Sequence, residues 1–327
     1  MKVYILTEGG SKFGYGHVVR CSSLYEELFR RGFNVEFIIN GDIAVKEALR
    51  DKKYSIRDWL SINFLSSLLT ENDYVIVDSY LAGEDINAFI SKHTKKSVFI
   101  DDNVRLNYPN GVVVNPSIYA SELKYPKNAG IRYLLGKDYV LLRDTFLESE
   151  RESTRPEVKE FLVTLGGADI RNLTPKILTI LKNEYPNVIK NVIIGKGFRN
   201  IEKIKEINDL NINYFYNVNA IEMKELMIKS DIAITAAGQT IYELIKTGTP
   251  FIPIQIIENQ ENNVKGLLEY NLVNEILYSE TTLEIDINLI NEMKYMMVDE
   301  NRVKITKKMQ GIVDGKGSIR IIDELLS

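Results

Sequence analysis

The sequence predicts an α/β protein built from two Rossmann-like halves, and three observations carry that reading. The chain has 327 residues, which is room for two domains at the usual size of about 100 to 200 residues each. Short apolar runs alternate with amphipathic stretches of helical period, the pattern of βαβ units around a parallel sheet. The alternation stops at a charged segment and then starts again.

The first strand is Val3-Tyr4-Ile5-Leu6. A helix beginning near His17 carries Val18, Cys21, Tyr25 and Leu28 on one face, and Gly32 stops it. Further strands are Val35-Glu36-Phe37-Ile38-Ile39, Tyr74-Val75-Ile76-Val77 and Val98-Phe99-Ile100. The segment from Glu148 to Pro156 is charged and lacks apolar period, so it reads as a linker with the boundary near residue 152. The second series is Phe161-Leu162-Val163-Thr164-Leu165, Val192-Ile193-Ile194, Ile232-Ala233-Ile234-Thr235 and Phe251-Ile252-Pro253-Ile254, each followed by a helical stretch. After Asn301 the pattern is purely helical, and this tail is expected to pack on one domain or to cross back to the first. The predicted division is residues 1–152, residues 153–301 and a helical tail over 302–327.

Composition narrows the function classes. A hydrophobic share of 45% with 26% charged residues is ordinary for a globular protein. A formal net charge of −4 supplies no broad attraction to nucleic acid or an anionic membrane, so neither is an expected partner. No apolar run reaches membrane-spanning length, and Met1 to Thr7 lead straight into a strand in place of a signal peptide. The expectation is a cytoplasmic protein without membrane insertion. Cys21 is the single cysteine, and His17 and His93 are the two histidines, so no cluster has zinc-site spacing. Neither a metal nor another cofactor is expected.

Ligands of open parallel sheets bind beyond the carboxyl ends of the strands, so the strand-to-helix turns carry the chemistry, and two such sheets facing each other make a cleft. The first turn, Glu8-Gly9-Gly10-Ser11-Lys12-Phe13-Gly14-Tyr15-Gly16-His17, is rich in glycine and precedes a helix. Glycines permit close backbone approach, and free N–H groups at a helix start favour an anion such as a diphosphate. The helix dipole and Arg20 disfavour a protonated His17, which would leave it neutral and able to act as a base, while a bound diphosphate works the other way. The bland alternative is a tight turn with His17 as a helix cap.

In the second half, Ala236-Ala237-Gly238-Gln239-Thr240 precedes a helix closed by Gly248 and offers a second anion site. Glu243, in the first turns of that helix, is placed to accept bonds from both hydroxyls of a ribose, or else simply complements the dipole. Asn259 and Gln260 follow a strand, where amides read sugar hydroxyls or an acetamido group, unless Asn259 only caps a helix.

Gly14-x-Gly16-His17-x-x-Arg20, Gly166-Gly167-Ala168-Asp169, and Ala237-Gly238-x-Thr240-x-x-Glu243 with Gly248-x-Pro250 and Asn259-Gln260 occur in this order. Between them stand Val77-Asp78-Ser79-Tyr80, Ile100-Asp101-Asp102, Val114-Asn115-Pro116 and Gly136-x-x-Tyr139-x-Leu141-Leu142-Arg143. Over residues 1 to about 275 the ordered set resembles the UDP-sugar hydrolases of pseudaminic acid biosynthesis, grouped with spore coat polysaccharide biosynthesis proteins. The resemblance implies a GT-B fold, two Rossmann-like domains facing each other across a cleft. It also implies hydrolysis of UDP-2,4-diacetamido-2,4,6-trideoxy-β-L-altropyranose to UDP and free sugar, and the lack of a His or Cys cluster leads us to expect it to be metal-independent. Carried over by position, His17 is the general base, Tyr80 lines the sugar site, and the Gly238 turn with Glu243 holds UDP. The chain departs from that family's usual residues at Ser79, Gln239 and Tyr242, where His, Ser and Trp are common.

The expected mechanism is attack of a His17-activated water on the anomeric carbon with inversion, a nucleoside diphosphate leaving as a stable anion. The expected catalytic residues are His17, Tyr80 and Asp78. The expected nucleotide- and substrate-binding set is Gly14, Gly16, Arg20, Asp102, Gly166, Gly167, Ala237, Gly238, Gln239, Thr240, Glu243, Asn259 and Gln260. Asp78, Asp101 and Asp102 each end a strand, and one could orient His17 or the water, while others cap the helices that follow. One rival is a GT-B glycosyltransferase using a UDP-sugar donor, resembling the enzyme that adds N-acetylglucosamine in peptidoglycan synthesis. That family usually has proline one turn into the helix, where this chain has Val18-Val19-Arg20. A second rival is a non-catalytic nucleotide-sugar binding protein. A NAD site is disfavoured, because Asn40-Gly41 follows the second strand where an acidic ribose ligand is expected.

Overall fold

Alternation along the first strand sets the architecture: Val3 and Ile5 join the core on one face of the sheet, Tyr4 and Leu6 the core on the other. A strand buried on both faces belongs inside a parallel sheet covered by helices. The computed structural model describes residues 1–327 except 150, 152, 200 and 279–283. Glu150 and Glu152 of the expected linker therefore lie outside the described residues. The described residues divide into two compact units, Met1–Asp144 with Gly315–Ser327, and Thr145–Asp314.

In the first unit the strands are β1 (Val3–Gly9), β2 (Val35–Gly41), β3 (Tyr54–Ile56), β4 (Tyr74–Asp78), β5 (Lys96–Ile100), β6 (Gly111–Asn115) and β7 (Ile131–Leu135). They pair in parallel in the order β3-β2-β1-β4-β5-β6-β7. The helices are α1 (Gly16–Arg30), α2 (Ile62–Leu68) and α3 (Glu84–Lys92). Buried α1 residues Val18, Cys21, Leu24 and Leu28 pack on one face of the sheet, while Ile86 and Ile90 of α3 pack on the other. Gly41 is required by close approach of backbones: a Cβ there would lie 1.7 Å from the Gly9 carbonyl oxygen.

In the second unit the strands are β8 (Glu160–Thr164), β9 (Ile189–Ile194), β10 (Ile212–Tyr216), β11 (Ile232–Ala236), β12 (Phe251–Gln255) and β13 (Leu277–Tyr278). They run parallel in the order β10-β9-β8-β11-β12-β13. The helices are α4 (Thr174–Glu184), α5 (Ile201–Lys205), α6 (Ala220–Lys229), α7 (Thr240–Thr247), α8 (Glu261–Glu269), α9 (Glu284–Met297) and α10 (Asp299–Met309). Each sheet thus reverses its strand order once, between β1 and β4 and between β8 and β11. Those switch points are where a doubly wound sheet opens to a ligand.

The segment read as a linker is anchored to the second unit, and the division falls at Asp144/Thr145, ahead of residue 152. The cause is Arg151, whose guanidinium donates to the carbonyls of Met227, Ile228 and Ser230 at the end of α6. A cation there satisfies carbonyls that a helix end leaves unpaired. The tail does not form one body. Its first part, α10, stays with the second unit, while α11 (Gly317–Leu326) returns to the first. Ile321, Ile322 and Leu325 of α11 are buried in the core with α1, each contributing about 1.5–3 kcal/mol relative to exposure. Among the described residues no helix is long and apolar enough to cross a membrane.

Candidate active site

The switch point of the first sheet gathers charge. Glu8 lies near the end of β1, Asp78 ends β4, and the two strands pair directly. The loop between β1 and α1 folds back on itself, Gly10 and Gly14 exchanging backbone hydrogen bonds at 2.9 and 2.8 Å. Gly14 holds a φ of +76°, which suits glycine. A Cβ at Gly14 or Gly16 would meet nothing within 4 Å, so this turn is open on its outer side. No side chain caps α1.

Arg20, one turn into α1, braces two carboxylates. Its Nε and Nη2 donate to Asp78 Oδ2 and Oδ1 at 2.6 and 2.5 Å, and its Nη1 and Nη2 donate to Asp102 Oδ1 and Oδ2 at 2.8 and 3.0 Å. Four of the five guanidinium donors are thereby engaged within the protein, so the side chain braces the two carboxylates. Asp102 also accepts the Tyr80 hydroxyl at 2.5 Å. Burial alone would raise the Asp102 carboxyl, but the Arg20 charge and the Tyr80 hydroxyl hold it below its ordinary value. Burial and the Asp102 charge push the Tyr80 phenol far above its ordinary value, so it stays a neutral donor. Asp101 takes a different role: it accepts the backbone N–H groups of Asn103, Val104 and Arg105 and the Tyr125 hydroxyl, closing the turn after β5.

His17 sits over this network, its ring edge-on to Tyr80 with centroids 4.8 Å apart. Its Nδ1 lies 3.5 Å from Glu8 Oε1 and 3.9 Å from Asp78 Oδ1. Burial lowers its pKa, yet Asp78 and Glu8 raise it by more, and the net shift is upward despite Arg20. The sequence left this sign open, with the helix dipole and Arg20 acting downward and a bound diphosphate upward; the carboxylates under the ring turn the net shift upward. Glu8 itself was missed as a site residue. The available signal was an acidic residue closing an apolar strand just before the glycines. Ser79 is a local cap, its Oγ accepting the N–H groups of Leu81 and Ala82, both at 3.0 Å.

In the second unit the expected binding residues fall on the two turns at the other switch point, after β8 and β11, and on a third turn after β12. After β8, Gly166 has a φ of +79° and open space where a Cβ would sit. The Gly167 carbonyl accepts the Gly197 N–H at 2.8 Å. After β11, Ala237 is pinned at both ends, donating to Ile254 and accepting from the Asn263 amide at 2.9 Å. Gly238 and Gln239 lead into α7, their carbonyls accepting the N–H groups of Ile241 and Tyr242, and Thr240 is its first residue. No side chain caps this start, and Glu243, buried one turn on, gives α7 its first-turn carboxylate. Gly248 closes α7 with a φ of +67°. Asn259 is exposed in a short 3-10 turn. Gln260 is buried, and its Oε1 accepts the Ile256 N–H at 2.8 Å, tying the side chain to the loop after β12. Among the described residues no group of three or more His, Cys, Asp or Glu side chains is arranged to hold a metal ion.

Residues 161–318 match the glycosyltransferase family 28 C-terminal domain. An uncharacterised protein of Methanocaldococcus jannaschii is 31% identical over 77% of this chain and 55% of its own length. The spore coat polysaccharide biosynthesis protein SpsG of Bacillus subtilis is 25% identical over 98% of this chain and 96% of its own. The pseudaminic acid cytidylyltransferase and UDP-2,4-diacetamido-2,4,6-trideoxy-beta-L-altropyranose hydrolase of Helicobacter pylori is 27% identical over 88% of this chain and 52% of its own. The chain thus spans about half the length of the first and third of these relatives. Among solved structures, MurG of Acinetobacter baumannii superposes with a TM-score of 0.66 at 14% identity, over 100% of this chain and 99% of that one. The fold is GT-B, and the motif-based resemblance to the spore coat and UDP-sugar hydrolase proteins is borne out by these relatives.

Proposed function

We propose that this chain, a relative of the spore coat polysaccharide proteins and the pseudaminic-type UDP-sugar hydrolases, cleaves a UDP-activated acetamido sugar to UDP and free sugar. The observation that carries the reading is His17 at the open glycine turn, with its Nδ1 over Glu8 and Asp78. An imidazole so held turns its other nitrogen away from the carboxylates, where it accepts the proton of a water attacking the anomeric carbon. One base suffices, since UDP leaves as an anion and inversion needs no covalent intermediate. Tyr80, kept neutral and bonded to Asp102, offers a ring edge to the sugar. The turn from Gly238 into α7 supports the diphosphate through the backbone N–H groups at the helix start, and Glu243 supports the ribose.

A second reading, transfer of the sugar to an acceptor, is favoured by the match of residues 161–318 to a glycosyltransferase domain. Nucleotide release from UDP-, GDP- and CMP-activated acetamido sugars, with no acceptor added, separates the two. Hydrolysis requires steady turnover of a UDP-sugar in buffer alone. Turnover that begins only when an acceptor is supplied would overturn the hydrolase reading.

A further inference from the structure

The geometry points to Glu8 as the positioning residue of His17, the carboxylate that takes the Nδ1–H and so leaves Nε2 bare as the proton acceptor. The inference rests on the reading of His17 as a base and deepens it. It begins from two buried polar atoms without hydrogen-bond partners, His17 Nδ1 and Glu8 Oε2, on side chains that face each other. Glu8 Oε1 is 3.5 Å from Nδ1 and accepts one other bond, the Tyr80 backbone N–H at 2.6 Å. In unliganded sites such catalytic contacts are often long and tighten only when substrate binds.

The competing carboxylate is Asp78, and its oxygens are already engaged. Both accept from Arg20, and Oδ2 also accepts the Cys21 thiol at 3.2 Å. It is also the farther of the two, at 3.9 Å from Nδ1. The other charged or titratable groups around the ring are Arg20 from α1, Tyr80 from the loop after β4 and Asp102 after β5, and these three are bonded to one another or to Asp78. Glu8 alone in this set has an oxygen without a partner among the described residues, and it lies at the end of β1 opposite the ring. When Nε2 takes a proton from water the ring becomes a cation, and the Glu8 charge opposite Nδ1 stabilises it. The same bond fixes the tautomer, which is what an orienting carboxylate supplies to a histidine base.

Glu8→Gln separates charge from shape. The Gln carbonyl still accepts the Tyr80 N–H and holds that loop, while its amide now presents N–H groups to Nδ1. With two histidines in the chain, long-range proton–nitrogen NMR of the imidazoles is assigned by comparison with His17→Asn. The expected result for Glu8→Gln is a lowered His17 pKa and a shift from the Nδ1–H toward the Nε2–H tautomer. A His17 titration and tautomer unchanged from wild type would overturn the pairing. Glu8→Asp keeps the charge but shortens its reach, so its titration should fall between the two, and it serves as the test if the Gln variant does not fold. UDP release then separates this inference from the function reading. In Glu8→Gln kcat should fall by about tenfold or more, a part of the roughly 10²–10⁴-fold that a general base contributes, and its acidic limb should follow the His17 titration downward. A moved His17 titration with an unmoved rate profile would support the pairing and remove His17 from the role of base.

Discussion

Arg20 grips Asp78 with two parallel hydrogen bonds, Nε to Oδ2 at 2.6 Å and Nη2 to Oδ1 at 2.5 Å. The bond ties the first turn of α1 to the end of β4 across 58 residues of chain. Because the same guanidinium also holds Asp102, Arg20→Met leaves two largely buried carboxylates without their counter-charge. Breaking a buried pair by removing one partner typically costs about 3–5 kcal/mol. We expect a melting temperature lower by roughly 10 °C, and Arg20→Lys should recover only part, since an ammonium cannot grip two carboxylates in a fork. A melting temperature within a degree or two of wild type for the Met variant would remove the brace from the account.

His17→Asn should leave UDP affinity nearly intact while lowering kcat by about 100-fold or more, the usual scale for a general base. Calorimetry of UDP binding and a nucleotide-release assay on the same preparation read both quantities. Turnover close to wild type would dismiss the assignment.

The upward shift of His17 from 6.5 has two pH consequences with opposite sense. Activity needs the neutral ring, so the acidic limb of kcat/KM should lie above 6.5. Stability needs the protonated ring: the contribution is complete below the unfolded value near 6.5 and is lost as pH rises through the higher folded value. Urea melts of wild type and His17→Asn should therefore differ more at about pH 5.5 than at about pH 9. A gap that widens toward alkaline pH would show that the shift has the other sign.

Glu243→Ala tests the ribose role. Losing hydrogen bonds to a charged partner costs about 1.5–3 kcal/mol, or roughly ten- to hundredfold in affinity. Binding lost equally from ground and transition states raises KM and spares kcat. Equal UDP dissociation constants, with only a small fall in melting temperature, would reduce Glu243 to a partner of the helix dipole.

Two glycines of the first unit should behave oppositely. Gly41→Ala places a methyl 1.7 Å from the Gly9 carbonyl oxygen, and forcing β1 and β2 apart should cost about 1–3 kcal/mol or more. Gly16→Ala meets nothing within 4 Å and should fold as well as wild type. If that turn faces the ligand, the Gly16 variant instead binds UDP-sugar less well. Thermal melts paired with substrate KM distinguish the two positions, and equal stability losses would contradict the local geometry.

The sequence by itself determined the two-sheet α/β plan, eight of the nine inner strands, from Val3-Tyr4-Ile5-Leu6 to Phe251-Ile252-Pro253-Ile254, and the glycine turns after β1, β8 and β11. Apolar period is a local property, and strands covered by helices must show it. β3, β7 and β10 were not legible, because strands toward a sheet edge are partly exposed and carry residues such as Asn213 and Arg132 that break the pattern; the two-residue β13 and the buried inner strand β6 were missed as well. The first-unit site was legible as a list and not as an arrangement. Nothing local to residue 8 announces that Glu8 will meet His17 and the Tyr80 N–H, nor that Arg20 will be engaged by Asp78 and Asp102. Those pairings follow from the order β2-β1-β4-β5, which sets the ends of β1, β4 and β5 near the start of α1. The direction of the His17 shift is a sum over charges from those elements, so it was decided only once the tertiary structure set their distances.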